Sequence, residues 1–319
     1  MKKRFKEFIQ RVIGLPEMID YMKKTRLGAE EDARYTRLLV GKMLANQVKQ
    51  HGIYQNLYDA EFKVFSQFGD DGILQYLICQ TCPEKHIFIE FGVQNYEESN
   101  TRFLLLNDNW RGLIMDGSMQ AMSALRHDEI YWRHDLTAAG AFITRENVNQ
   151  LFLDNGFSGE IGLLSIDIDG NDYWVWEAID CVTPVIVTVE YNSVFGVGHA
   201  ITIPYDPAFH RTSAHYSNLY WGASLKAFCL LAEKKGYVFV GCNSNGNNAH
   251  FIRKDKVGNI PIKTVEQGYV GSQFRESRDQ SGNLTFLSGK QRIEAIKDQQ
   301  VIDVENNRLA YLRDFIEIR

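Results

Sequence analysis

Four short apolar runs in this chain each end in a carboxylate: Ile87-Phe88-Ile89-Glu90, Leu113-Ile114-Met115-Asp116, Leu163-Leu164-Ser165-Ile166-Asp167 and Val185-Ile186-Val187-Thr188-Val189-Glu190. Runs of this length, rich in Ile, Val and Leu, suit strands buried on both faces of a parallel sheet. Ligands of open α/β sheets bind outside the carboxyl ends of the strands, so this arrangement gathers four acids around one crevice. Such a rim suits a cation, a polyhydroxylated molecule or a metal, and suits a bare phosphate poorly.

The loop after the first run reads Glu90-Phe91-Gly92-Val93-Gln94-Asn95-Tyr96-Glu97-Glu98. It holds one glycine, where a dinucleotide fingerprint wants three so that a pyrophosphate can rest on the following helix. Glu97 and Glu98 would also repel that pyrophosphate. NAD, FAD and a reductase are therefore disfavoured. Asp116, at the end of the second run, can accept both hydroxyls of a ribose. A nucleoside with a cationic, amino-acid-like tail then fits, and S-adenosylmethionine is such a molecule: ribose to Asp116, tail near Gly92, sulfonium among acids. The plainer alternative is that Glu90 and Asp116 only cap helices or loops.

Asp167 and Asp169 are two residues apart and share a face where their strand ends, as do Glu190 and Asn192. Oxygen ligands converging from adjacent strand ends suit Mg²⁺ or Mn²⁺ through Asp167, Glu190 and Asn192. The alternative is a metal-free site in which these acids bind the cofactor's amino group or the acceptor's hydroxyls. A calcium loop counted from Asp167 fails, because the required glycine falls on Asp172 and the twelfth position is Ala178. His199, His210 and His215 fall in a polar insert expected over the crevice. Asp169 or His199 is the candidate base for deprotonating an alcohol.

Strand-like and helical stretches alternate from about residue 61. Strands are expected at 86–92, 112–116, 131–135, 162–167 and 184–190, with helices at 98–107, 119–127, 144–155 and 172–179 between them. This is the pattern of a doubly wound, Rossmann-like parallel sheet. After the insert at 192–220 come a helix (224–235) and two strands (237–242 and 249–253), whose Asn/Gly-rich connection Asn243 to Asn248 reads as a hairpin turn. The seven-stranded sheet thus ends in an antiparallel hairpin. The tail after Lys256 is less patterned, and 291–315 reads as helical. At the other end, Phe5, Phe8, Ile9, Val12 and Ile13 recur at helical spacing among Lys2, Lys3, Arg4, Lys6 and Arg11. Pro16 should end that helix, and a second should cover 30–50. A basic amphipathic helix outside the core suits self-association, so a homo-oligomer is expected.

The 319 residues carry a formal charge of −5 and five irregularly spaced cysteines. Nucleic acid is thus not a default partner, and a reducing cytoplasm fits. No apolar run is long enough to span a bilayer, so no stable membrane insertion is expected. Cys79-Gln80-Thr81-Cys82 lacks the partner pair that zinc or redox chemistry needs. Trp174, Trp176 and Trp221 read as core residues, with stacking on a sugar as the alternative.

Ser66-Gln67-Phe68-Gly69-Asp70-Asp71-Gly72, Phe88-Ile89-Glu90-Phe91-Gly92-Val93, Ser99-Asn100-Thr101 and Trp110-Arg111-Gly112-Leu113-Ile114-Met115-Asp116-Gly117 together resemble FkbM-type S-adenosylmethionine-dependent methyltransferases. Leu164 to Gly170 and Val189 to Asn192 match that family's later strand ends. The resemblance implies methyl transfer to oxygen, with a small-molecule or saccharide acceptor. Carried over, it puts Glu90, Gly92 and Asn95 at the methionine end, Asp116 on the ribose and Asp135 on the adenine amino group. The acid pair at 167 and 190 is similar to the metal site of catechol and macrocin O-methyltransferases. The chain departs from the family at Asp169-Gly170-Asn171-Asp172, where Glu followed by Gly-Ala-Glu is usual. The expected division is a helical segment (1–60), a methyltransferase domain (61–256) and a C-terminal extension (257–319).

Overall fold

A computed structural model of the chain describes residues 2–316, with side chains from position 21 onward apart from 22 and 27. The chain opens with α1 (Lys2–Gln50), a helix of 49 residues, about 73 Å long at 1.5 Å per residue. It runs through Pro16, so the two expected helices are one. A proline removes one hydrogen bond and crowds one turn, and here the turns on either side carry the helix past it. The expected apolar face from Phe5 to Ile13 lies outside the side chains described. The C-terminal end of α1 is the part that docks: Ala45 and Val48 are buried, and a Cβ at Gly41 would sit 2.5 Å from Val64. Tyr21, Tyr35, Leu39 and Met43 stand in solvent.

Next come α2 (Asp70–Thr81), β1 (Ile87–Phe91), α3 (Arg102–Asp108), β2 (Arg111–Asp116), α4 (Met119–Leu125), α5 (Glu129–Arg133) and β3 (Leu136–Gly140). The alternation continues through α6 (Val148–Asp154), β4 (Gly159–Ile166), α7 (Asp172–Ala178) and β5 (Val182–Glu190). The insert carries β6 (Ile201–Thr202) and α8 (Arg211–Ala214), before α9 (Leu225–Lys235), β7 (Tyr237–Cys242) and β8 (Asn248–Arg253). The main sheet has the order β3-β2-β1-β4-β5-β8-β7. β3, β2, β1, β4 and β5 are parallel, and β8 is antiparallel to both β5 and β7. This is the expected doubly wound sheet closed by an antiparallel hairpin. Ile89, Leu113, Leu164, Val187 and Phe251 face one buried layer, and Phe88, Ile114, Leu163, Ile186 and Ile252 face the other. Strands covered on both sides explain why the runs read as continuously apolar rather than alternating.

Two boundaries differ from expectation. The strand expected at 131–135 is helix α5, started by Asp128, whose side chain accepts the Ile130 N–H, and spanned by the Glu129–Arg133 ion pair. The true β3, Leu-Thr-Ala-Ala-Gly, has no β-branched aliphatic residue to announce it. The helix expected from 98 begins at Arg102, because Ser99 to Thr101 are held by Glu90.

The extension folds back onto the insert. It holds α10 (Val265–Gly268), α11 (Lys290–Ile296), β9 (Gln300–Asp303) and β10 (Arg308–Tyr311). The last two are an antiparallel hairpin, not the helix expected over 291–315, and β9 pairs with β6. The hairpin turn is set by Asp303, whose carboxylate accepts the N–H groups of Glu305 and Asn306. Ile201, Ile203, Leu219, Ile296, Val301 and Leu312 share one small core, so insert and extension form a cap with its own apolar centre.

Candidate active site

A cavity of about 470 Å³ opens at the carboxyl ends of β1, β2, β4 and β5. The loop after β1 forms its floor. Gly92 has φ +73, and a Cβ there would lie 1.5 Å from the Asp167 carbonyl oxygen. Only glycine fits where this loop crosses β4. Asp116 projects from the end of β2 and is oriented by two backbone donors, the N–H of Gln94 and the N–H of Ser118, each 2.7 Å from a different carboxylate oxygen. It lines the cavity. Ala141, Phe142 and Ile143, just past β3, make an apolar wall beside it.

The second acidic group lies across the floor. One oxygen each from Asp167, Asp169 and Glu190 fall within 4.8 Å of one another. Burial, then the charges of Asp169 and Asp172, push the Asp167 carboxyl well above the usual range. Burial, then the charge of Asp167, does the same to Glu190. One oxygen of Glu190 is buried without a hydrogen-bond partner. The turn that follows is shaped by Asp172. Its buried carboxylate accepts the N–H groups of Ile168 (2.8 Å) and Gly170 (2.9 Å), and burial raises its pKa to about 6. Asp169 is thereby turned out at φ +54, where it accepts Arg211 Nη1 at 2.5 Å. The Arg211 guanidinium lies over the Trp221 ring, 4.9 Å from its centroid. Arg211, from the insert between β5 and α9, brings positive charge to the acidic cluster.

Several expected site residues are elsewhere. Glu90 is 4 % exposed and lies beneath the loop, not in the cavity wall. It accepts the N–H groups of Asn100 and Thr101 and the hydroxyls of Ser99 and Thr101. Burial outweighs these bonds, and its pKa is raised. Its work is to fold the Ser-Asn-Thr segment over the strand end. Asn95 faces solvent and accepts the Glu97 N–H, while its neighbour Gln94 lines the cavity. Asp135 is corrected outright: it precedes β3, at the opposite end of the sheet, with its side chain 72 % exposed and paired to Arg111. Asn192 is also spent on the scaffold. Its amide donates to the carbonyls of Leu219 and Trp221, and its oxygen accepts the Val194 N–H. It is not oriented as a metal ligand. His199 packs against Phe315 outside the cavity lining, so it is not at the reacting centre. His215 bonds Ser217. His210 lines a neighbouring groove with Phe142, Phe209, Tyr216 and Arg278. That groove shares Asp169 and Arg211 with the main cavity and continues it.

Parts of the chain are similar, at low identity, to solved structures of methyltransferases. An S-adenosylmethionine-dependent methyltransferase from Clostridium acetobutylicum is 9 % identical, over 55 % of this chain and 87 % of that one, with a TM-score of 0.35. An O-methyltransferase from Bacillus cereus, solved with S-adenosylhomocysteine, is 12 % identical over 68 % and 90 %, TM-score 0.37. The N-terminal domain of EvdMO1, solved in the presence of S-adenosylhomocysteine and D-fucose, is 9 % identical over 66 % and 94 %, TM-score 0.37. No family model and no curated protein sequence matches the chain.

Proposed function

We propose that the protein transfers a methyl group from S-adenosylmethionine to a hydroxyl of a saccharide-like acceptor. The observation that carries this is the pairing of Asp116, fixed by the Gln94 and Ser118 N–H groups, with the side-chain-free crossing at Gly92. Asp116 accepts the ribose hydroxyls, Ala141 to Ile143 flank the base, and the loop that Gly92 lets close against Asp167 borders the amino-acid tail. S-adenosylmethionine, when bound, supplies a methyl group on a positively charged sulfur. Glu190 and Asp167, made more basic than ordinary carboxylates by burial and by each other's charge, take the proton from the acceptor hydroxyl as its oxygen is methylated. The Asp169 carboxylate is instead committed to Arg211. The aromatic groove of Phe142, Phe209 and Tyr216 suits a sugar chain entering from the side.

The same acids could also hold a divalent ion. Three carboxylate oxygens within 4.8 Å would suit one. Arg211, however, engages Asp169, and Asn192 is turned to the backbone, so the residues fit a built-in guanidinium better. Self-association through the exposed face of α1 is part of the same proposal, as is a cytoplasmic site of action.

The test is incubation with methyl-labelled cofactor and a panel of saccharides, read by product mass. A mass gain of one methyl on a sugar hydroxyl, undiminished in EDTA, is expected. Loss in chelator with recovery in Mg²⁺ or Mn²⁺ would reinstate the metal. No labelled product from any hydroxylated acceptor would count against O-methylation.

A further inference from the structure

The cavity has a wall of the opposite sign, and it comes from the C-terminal extension. Arg292, in α11, lines the cavity together with Ser272, Phe274 and Glu276. The Nε of Arg292 is buried without a hydrogen-bond partner, and among the described residues no carboxylate pairs with it. Glu276 is already held by Arg278 and Asn218. The other guanidinium groups nearby are engaged: Arg211 with Asp169, and Arg275 with the Phe286 carbonyl at 2.6 Å. Burial, and the charges of Arg211 and Arg275, hold the Arg292 guanidinium below its ordinary pKa. A cation kept this way, beside like charges, lacks its counter-ion. The position matters too. α11, which carries Arg292, packs on the turn Ser193–Phe195 that follows Glu190 at the end of β5.

We infer that Arg292 anchors an anionic group of the acceptor, a carboxylate or a phosphate on the same molecule that presents its hydroxyl to Glu190 and Asp167. The inference rests on the methyl-transfer reading for the word acceptor; the anion site itself rests on Arg292. The two walls would orient a bipolar acceptor, hydroxyl toward the acids and anion toward the guanidinium, and would reject its neutral analogue. Arg suits both oxyanions because its fork matches either geometry.

Calorimetric titrations of the full chain, with and without saturating S-adenosylhomocysteine, would use glucose, glucuronate, glucose 6-phosphate and inorganic phosphate. At least one anionic sugar should bind about ten-fold or more tighter than glucose, the size of a charge-assisted hydrogen bond. Which one binds tighter separates carboxylate from phosphate. Arg292→Gln should erase the preference, Arg292→Lys should keep part of it, and S-adenosylhomocysteine affinity should stay within about two-fold in both. No anion preference in the wild-type chain, or one that survives Arg292→Gln, overturns the inference. So does a ten-fold loss of S-adenosylhomocysteine affinity in Arg292→Gln, which would put the guanidinium on the cofactor's carboxylate. An Arg292-dependent preference in a chain that binds no S-adenosylhomocysteine would leave the anion site standing and reject the methyl-transfer reading.

Discussion

At Glu190 and Asp167, function and stability pull in opposite directions. Both carboxyls have raised pKa values in the folded chain. A raised acid favours folding most below the ordinary carboxylate range, near pH 4. That contribution is lost as pH rises toward the folded value. At neutral pH the pair is therefore a cost to stability. Glu190→Gln and Asp167→Asn should each raise the unfolding free energy at pH 7, by on the order of 1 kcal/mol, while turnover falls at least about a hundred-fold. Urea unfolding beside an activity assay checks both, and a destabilised, active Glu190→Gln would reject the proton-acceptor role. Asp116, Asp167 and Glu190 were legible in the sequence because apolar strands end on them, and Asp169 because it lies two residues from Asp167. Glu90 was legible as an acid at a strand end but not as a buried clamp, since nothing local says that Ser99 and Thr101 fold back to it. Arg211 and Arg292 were not legible as site residues. Each lies in a short helix of the insert or the extension and reaches the cavity only through tertiary packing.

Among the elements, the segment before α2 shows how loops are pinned to the sheet. Asp71 accepts the N–H groups of Val64, Phe65 and Ser66, each at 2.8 Å, and burial raises its pKa to about 6. Asp70 is fully buried, yet its pKa is lowered. His250 on β8, 3.3 Å away, and the amides of Asn248 and Asn243 outweigh the burial that would raise it. A lowered acid stabilises above the ordinary carboxylate range and loses that effect as pH falls through the folded value. Asp70→Asn should therefore cost about 3 kcal/mol at pH 7 and progressively less in acid, which unfolding curves at stepped pH would reveal. A cost that does not change with pH would contradict the ionised Asp70. The resemblance drawn from Ser66 to Gly72 thus rests on residues that hold the fold and place Gln67 and Phe68 in the cavity wall. The order of the central strands could be anticipated, because their hydrophobic runs are long and β-branched. β3 could not, because its Leu-Thr-Ala-Ala-Gly run carries little strand signal, and neither could the β9–β10 hairpin, whose β9 pairs with β6 far earlier in the chain.

For the whole molecule, the cap of insert and extension closes one side of the cavity, and α1 projects from the other layer of the sheet. No helix among the described residues is long and apolar enough to cross a membrane. The exposed Tyr21, Tyr35, Leu39 and Met43 support the proposal that α1 pairs with a second copy. Deleting residues before 30 should lower the mass seen by light scattering, and an unchanged mass would reject that pairing. Binding of the intact chain to anionic liposomes would assign the helix to a membrane surface instead. The central claim, a nucleoside site built on Asp116 and Gly92, is tested most directly by calorimetric titration with S-adenosylhomocysteine and with NAD. The account predicts saturable binding of S-adenosylhomocysteine, no binding of NAD, and a loss of roughly 1.5–3 kcal/mol in Asp116→Ala, the worth of hydrogen bonds to a charged acceptor. Tight NAD binding, or unchanged S-adenosylhomocysteine affinity in Asp116→Ala, would contradict it.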